Sequence, residues 1–371
     1  MERGQAVSFR VAVVQCRGSA YEVGRAQARL HAATTRGRAF FRRKQGRLPC
    51  WFDVGAMERA FARFSPALWE EIGGLAAGFD IPMESAALHF GNGGLRPPVG
   101  GCSAVMSGGV YGRNYDYKPQ HYDARIALVQ VAGSYASIGF SGRLTGRLDG
   151  MNEHGLTIGL HLVSRSPSQP GLSCIVITRL ILDQCATTAE AAAMLRRLPH
   201  AMRYNYSLLD ATGDAAVAEA APGSVAVRTG DWLACTNHFQ SPLLKPLNRG
   251  SARSQQRLPP LEAWAAQRLD AAATFSALNR STSPAFHHGY GRGSGTLHTV
   301  VSEPAKRRVV VGVGGDAASL DAGMLDVDFA TWLRGRDLPI TSLVGRLGGI
   351  SQPFEWPVVR LRRKTVTARA S

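Results

Sequence analysis

Residues 8–16 (SFRVAVVQC) alternate polar and apolar side chains, as a half-buried strand does. Ser19-Ala20-Tyr21-Glu22 follows as a capping box, with Ser19 at the N-cap and Glu22 reaching back. A helix is therefore predicted from about Tyr21 into the forties. A second helical block covers residues 54–88, with breaks expected at Gly73-Gly74 and at Pro82. Residues 91–101 (GNGGLRPPVGG) hold too many glycines and prolines for helix or strand. They read as an exposed loop, the kind of segment where chain cleavage concentrates. Beyond it the period shortens to two. Strands at 102–105 and 110–113 flank Ser107-Gly108-Gly109, a hairpin signature. Further strands fit 126–131, 137–140, 156–163, 207–210, 215–219, 224–228, 232–236, 297–301 and 308–313. Helices fit 174–185, 188–198 and 251–269. Paired strands, a helical pair and more strands predict an α+β fold, two sheets with helices outside.

Composition narrows the function classes. A chain of 371 residues with 45% apolar content can bury one large core or two moderate ones. No run reaches the ~18 apolar residues of a membrane helix. The opening MERGQAVSFRVAVVQ lacks the apolar block and small-residue site of a signal peptide. A cytoplasmic location and no membrane partner are expected. The six cysteines stand singly, none in a C-x-x-C pair, so neither a zinc site nor a disulfide framework is indicated. His287, His288 and His298 lack metal-ligand spacing with a carboxylate and read as structural. A net charge of +16 raises the question of a nucleic-acid partner. The basic residues are dispersed, however, apart from Arg42-Arg43-Lys44 and the tail from about residue 358. Neither interleaves aromatics in a binding module, and no nucleic-acid partner is expected.

The chemistry-bearing segment lies where the loop meets the hairpin. A thiol at Cys102 can attack the preceding carbonyl, and Gly101 carries no side chain to block the approach. Cleavage there would leave Cys102 with an α-amine of pKa ~8, a usable base at neutral pH. Nucleophile and base would then belong to one residue. Gly112-Arg113-Asn114-Tyr115-Asp116 supplies a cation for the thiolate and a carboxylate for the ammonium. With a three-residue turn Cys102 faces Asn114, diagonal to Asp116; with a two-residue turn it faces Tyr115, diagonal to Arg113. Both registers stay open, as do a bulge that would deliver both groups and an ordinary hairpin with a buried cysteine. Asn237, ending a strand in Thr236-Asn237, carries an amide donor suited to an oxyanion. His161 lies on a strand as a core histidine or as a backbone N–H donor.

Together these segments resemble the cysteine branch of the N-terminal nucleophile hydrolases. The closer likeness is to the penicillin (isopenicillin N) acyltransferase family of peptidase C45 type, the more distant one to bile salt (choloylglycine) hydrolases. Arg17 to Gly24 resembles the former's N-terminal segment, and Gly101-Cys102-Ser103-Ala104 its processing junction. Gly112 to Asp116 resembles a run of both families, Asp149 to Leu156 (DGMNEHGL) a segment of bile salt hydrolases, and Thr236-Asn237 their oxyanion motif. The resemblance implies an αββα sandwich and a precursor split into residues 1–101 and 102–371, an α/β heterodimer after processing. It implies Cys102 as nucleophile, Asp116 ordering its amine, Arg113 near the thiolate, and Asn237 with the His161 N–H as oxyanion hole. A further arginine is implied after the Thr-Asn pair, with Arg253 and Arg257 both fitting. The expected reaction is hydrolysis or acyl transfer at a linear non-peptide amide through a Cys102 thioester, on a small-molecule amide or acyl substrate, without cofactor or metal. The competing reading is a non-catalytic or nucleic-acid-associated protein that keeps the scaffold; the intact set Cys102, Arg113, Asp116 and Asn237 argues against it.

Overall fold

The first helix starts where the capping box puts it. In the computed structural model, Ser19 N–H donates to Glu22 Oε2 at 3.0 Å and Glu22 N–H donates back to Ser19 Oγ at 3.3 Å. Residues 7–32, 52–91, 101–164, 169–290 and 294–347 are described. The extension of the first helix, the loop at 92–100 and the basic tail lie outside them.

Strand β1 (Val7–Gly18) precedes α1 (Ala20–Ala32), followed by α2 (Val54–Phe64), α3 (Pro66–Phe79) and α4 (Met83–Phe90). The second helical block breaks at Ser65-Pro66 and not at Gly73-Gly74. Ser65 Oγ caps the Leu68 N–H at 3.3 Å, and Pro66 takes the first helical position, where its missing N–H costs nothing. Gly74 serves the helix crossing instead. A Cβ there would lie 2.0 Å from Tyr21 O, and one at Gly24 2.0 Å from Glu71 O. The backbones of α1 and α3 touch because neither position carries a side chain. Gly24→Ala is expected to cost about 1–3 kcal/mol by forcing the pair apart, visible as a lower Tm; an unchanged Tm would contradict this packing.

The remaining strands are β2 (Gly101–Ser107), β3 (Val110–Tyr117), β4 (Arg125–Val131), β5 (Ser137–Gly142), β6 (Gly146–Arg147), β7 (Asp149–Asn152) and β8 (Thr157–Leu162). After α5 (Cys174–Gln184) and α6 (Thr188–Arg197) come β9 (Tyr204–Leu209), β10 (Ala215–Ala221), β11 (Ser224–Gly230) and β12 (Trp232–Cys235). Then follow α7 (Ala252–Ala266), α8 (Ala271–Asn279), β13 (Gly295–Glu303), β14 (Arg308–Val313), β15 (Met324–Asp328), α9 (Phe329–Leu333) and β16 (Ser342–Leu347).

One sheet runs β11-β10-β9-β8-β7-β5-β4-β1-β16, with β6 beside β5; the other runs β12-β2-β3-β13-β14-β15. β2 faces β8 and β9 across the interior, and β10 faces β12. Helices α1, α5 and α6 cover the larger sheet, while α7 and α8 cover the smaller. The αββα order implied by the resemblance is thus observed. The N-terminal segment is not helical alone: β1 pairs with β16 on one side and β4 on the other, inside the larger sheet.

Candidate active site

The hairpin turn settles the register. Gly108 and Gly109 have φ of +56° and +74°, a pair that a two-residue turn requires. Ser107 therefore pairs with Val110, Cys102 with Tyr115, and Gly101 with Asp116. Alternation then puts Cys102 and Arg113 on one face of the sheet and Asp116 on the other. The Cys102 sulfur turns to the interior, where the Arg113 Nη2 lies 3.4 Å away. The register of a three-residue turn, which set Cys102 diagonal to Asp116, is not the one adopted. No bulge interrupts the pairing of β2 with β3, so the register holds from Ser107–Val110 to Gly101–Asp116.

Asp116 sits beneath the Gly101–Cys102 junction. A Cβ on Gly101 would stand 2.8 Å from Asp116 Oδ2 and 3.2 Å from Arg257 Nη2, so any other residue before the cysteine has to push these buried side chains aside. Asp116 accepts from Thr296 Oγ1 at 2.6 Å and pairs with Arg257 at 3.5 Å. Burial pushes its carboxyl above the ordinary range, with Arg257 and Thr296 pulling the other way. Burial also raises the Cys102 thiol, opposed chiefly by Arg113.

Asn237 follows β12 and is clamped from both sides. Asn205 Nδ2 donates to the carbonyls of Thr236 and His238 at 3.1 and 2.9 Å, and Asn237 N–H donates to Ser254 Oγ at 2.6 Å. Its side-chain oxygen accepts from Cys102 N at 2.7 Å and Arg257 Nη2 at 2.6 Å, and its Nδ2 donates to Leu162 O at 2.8 Å. Two donors on one side and a carbonyl on the other fix the amide orientation. One Nδ2 hydrogen is left over.

Of the two arginines on α7, Arg257 is the one built into this cluster. It also donates to Cys102 O at 3.2 Å and Ser103 Oγ at 2.9 Å. Arg253, one turn earlier, bonds His287 Nε2 at 2.5 Å and lines the adjoining cleft.

The pairing of β8 with β9 takes up the His161 N–H within the larger sheet. Val163 N–H donates to Arg203 O at 3.2 Å, and the two-residue period gives His161 the equivalent bond to its partner Asn205. Its ring is buried, with Nε2 at 2.8 Å from Ser207 Oγ, and burial, with Arg113 and Arg257, holds the imidazole well below its usual pKa. On the opposite edge of β8, Leu160 N–H donates to Leu148 O at 3.2 Å, Leu160 O accepts from Arg113, and Leu162 O accepts from Asn237. The main-chain donor lying between those two carbonyls is Leu162 N–H, one residue on from the expected one.

Two further groups join the cluster: Asp149, the first residue of the DGMNEHGL segment, and His298, which reads as structural in the sequence. Arg113 Nη1 pairs with Asp149 Oδ2, which also meets His298 Nε2 at 2.9 Å. In the DGMNEHGL segment, Asn152 ties the turn to α5 through the carbonyls of Leu182 and Cys185 at 2.9 and 2.7 Å, so most of that motif is structural. A cleft of about 410 Å³ opens beside the junction, lined by Gly101, Leu162, Val163, Ser164 and Asn237 on one side and Arg249, Arg253 and Arg257 on another. Among the described residues, no group of three or more His, Cys, Asp and Glu could hold a metal ion, and no helix is long and apolar enough to cross a membrane.

The model of the acyl-coenzyme A:6-aminopenicillanic acid acyl-transferase family matches residues 105–318. No curated protein matches the chain. Among solved structures, the penicillin V acylase of Agrobacterium tumefaciens is similar at 18% identity over 62% of this chain and 86% of that one, with a TM-score of 0.40. The Caenorhabditis elegans ortholog of N-acylethanolamine-hydrolyzing acid amidase is similar at 15% identity over 55% and 93%, TM-score 0.40. A variant of conjugated bile acid hydrolase from Clostridium perfringens is similar at 13% over 67% and 97%, TM-score 0.41.

Proposed function

Because the chain belongs to the acyl-coenzyme A:6-aminopenicillanic acid acyl-transferase family, we propose that it cleaves itself before Cys102 and then hydrolyses or transfers the acyl group of a small amide, with the Cys102 sulfur as the attacking atom. One observation carries this reading: Cys102 presents its nitrogen to Asn237 Oδ1 and its sulfur to Arg113 beside a cleft that reaches Gly101.

In the first step the sulfur adds to the Gly101 carbonyl, the Gly101–Cys102 C–N bond breaks, and the nitrogen takes a proton. Water then releases Gly101 from the thioester as a carboxylate. The freed α-amine, pKa ~8 when unperturbed, keeps Asn237 Oδ1 as partner and takes the thiol proton in each later cycle. The thiolate attacks the substrate carbonyl, the amine returns that proton to the leaving nitrogen, and the acyl group stays on sulfur until water or an acceptor amine removes it. Oxyanion stabilisation falls to the remaining Nδ2 hydrogen of Asn237 and to Leu162 N–H, in place of His161. Arg257 holds Asn237 and Asp116 in register.

Residues 1–101 stay bound after the cut in this reading. β1 lies between two strands of the larger sheet, and Glu71 of α3 pairs at 2.9 Å with the buried Arg179 of α5. Fragments of roughly 11 and 29 kDa, in proportion to length from 39.8 kDa, are expected to co-elute and to separate in denaturant.

The cleft's arginines favour a substrate with an anionic group away from the scissile bond. Arg253→Ala is expected to raise KM about tenfold for a carboxylate-bearing amide, about 1.4 kcal/mol, and to leave kcat within about twofold. Equal losses with neutral and anionic amides would contradict that assignment. The overall reading is tested by incubating processed protein with a panel of N-acyl amides and quantifying released amine. Turnover abolished by iodoacetamide is expected; turnover insensitive to it contradicts a thiol mechanism.

A further inference from the structure

Behind Arg113 runs a chain of buried polar groups that the reaction steps above leave unused. Asp149 Oδ2 is shared between Arg113 Nη1 and His298 Nε2, and Oδ1 accepts from Phe140 N–H at 3.3 Å. His298 Nδ1 lies 2.7 Å from Tyr122 OH, and its ring stacks on Phe140 at 3.6 Å with an interplanar angle of 6°. Arg113, His298 and Tyr122 have no exposed surface, and Asp149 is 1% exposed. Four strands (β3, β5, β7 and β13) and the segment after β3 converge to build this arrangement.

The hydrogen positions follow from the partners. A nitrogen facing a carboxylate carries the proton, so His298 donates through Nε2 and accepts from Tyr122 O–H through Nδ1. Burial, together with Arg113, pushes the imidazole below its ordinary pKa, while Asp149 stays below the usual carboxylate range despite burial because His298 and Arg113 flank it. The group is therefore a neutral imidazole steadying a carboxylate that balances a guanidinium.

We propose that Asp149, steadied by His298 and Tyr122, is a positioning residue that sets how strongly Arg113 stabilises the thiolate of Cys102. This rests on the reading of Cys102 as the attacking sulfur. The guanidinium has two loads, the sulfur through Nη2 and Asp149 through Nη1. A firm counter-charge at Nη1 fixes its plane and offsets its field, so the sulfur stays a thiol until its own amine takes the proton. The other groups facing Cys102 are few. Asp116 and Tyr115 come from β3, Arg257 from α7, His161 from β8 and Cys235 from β12. Burial keeps Tyr115 and His161 neutral and pushes Cys235 up to about 12. Besides the α-amine, the ionisable groups set around the sulfur are thus Arg113, with Asp149 behind it, and Arg257 with Asp116.

The test is the pH midpoint of iodoacetamide alkylation at Cys102 in processed protein, read by mass spectrometry of the peptide that begins there. Asp149→Asn removes the counter-charge but keeps the shape, and is expected to lower the midpoint by about one unit or more. Alkylation below the wild-type midpoint then speeds up about tenfold. His298→Phe keeps the ring stack but drops the donor, so the Asp149 carboxylate loses a hydrogen bond, turns more of its field on Arg113 and is expected to raise the midpoint. His298→Gln keeps a donor and is expected to match wild type. A merely structural role would not move the midpoint in opposite directions. An unmoved or raised midpoint in Asp149→Asn overturns the proposal. If that variant yields no folded protein, an unmoved or lowered midpoint in His298→Phe does so. An active wild type that is never alkylated at Cys102 overturns the reading of the nucleophile itself.

Discussion

Cys102→Ala is expected to remain one chain of 39.8 kDa and to lose turnover by about 10⁴-fold or more, the scale on which removal of a covalent nucleophile acts. Both losses have the same origin. Alanine has no atom that can add to the Gly101 carbonyl, and without that step no α-amine appears at residue 102. The fold is expected to survive, because the substitution removes one buried sulfur from a position 3% exposed and costs about 1–2 kcal/mol of packing. A near-wild-type melting curve beside a single gel band and absent turnover is therefore the expected pattern. A variant that still splits at the same bond would mean that a foreign protease makes the cut. A variant that still turns over the amide would remove the sulfur from the mechanism altogether.

Asn237→Ala is expected to lower kcat by about 10²–10³, the cost of losing one prepositioned oxyanion donor. KM should change far less, because the donor acts on charge that develops only in the transition state. The substitution also takes from the Cys102 nitrogen its acceptor at 2.7 Å and from Arg257 Nη2 its acceptor at 2.6 Å. Asn237→Asp separates these roles: it keeps an acceptor for the nitrogen and for Arg257 but offers no hydrogen to the oxyanion. Both variants are expected to be slow, with the aspartate form closer to wild type in self-cleavage. Activity within about threefold of wild type in Asn237→Ala would place the oxyanion elsewhere.

The parts of the site that were legible in the sequence are those set by neighbours in the chain. Ser107-Gly108-Gly109 marked the hairpin, and its two registers were the correct alternatives. The choice between them required the φ angles of Gly108 and Gly109, which composition does not express. Ser19 to Glu22 read directly as a cap, because the capping box is closed by residues three apart. Gly73-Gly74 was misread as a break because a glycine that lets two helices touch looks the same, locally, as one that ends a helix. The stop signal actually used, Ser65-Pro66, lay eight residues earlier.

The misses at the site share a different cause. Which peptide N–H of β8 lies free of the β9 pairing depends on the hydrogen bonds of its two neighbouring strands, and in the mechanism proposed above that parity moves the oxyanion donor from His161 to Leu162. The choice of Arg257 over Arg253 depends on how α7 lies across β2 and β12. Asn237 was expected as a donor only; its oxygen side became visible once Cys102 N and Arg257 were seen to converge on it. Asp149 and His298 are 149 residues apart and meet across the two sheets. No spacing rule reaches that far, and His298 read as structural for want of a visible carboxylate partner.

The central claim is that one residue supplies both the attacking sulfur and the base beside it, which requires an amino terminus at position 102. N-terminal sequencing of the larger fragment from fully active protein tests it directly. The predicted result is Cys-Ser-Ala as the leading sequence, at a molar yield equal to the number of active sites titrated. Full activity in material whose only amino terminus is that of the uncut chain, or whose larger fragment starts at any other residue, would contradict it.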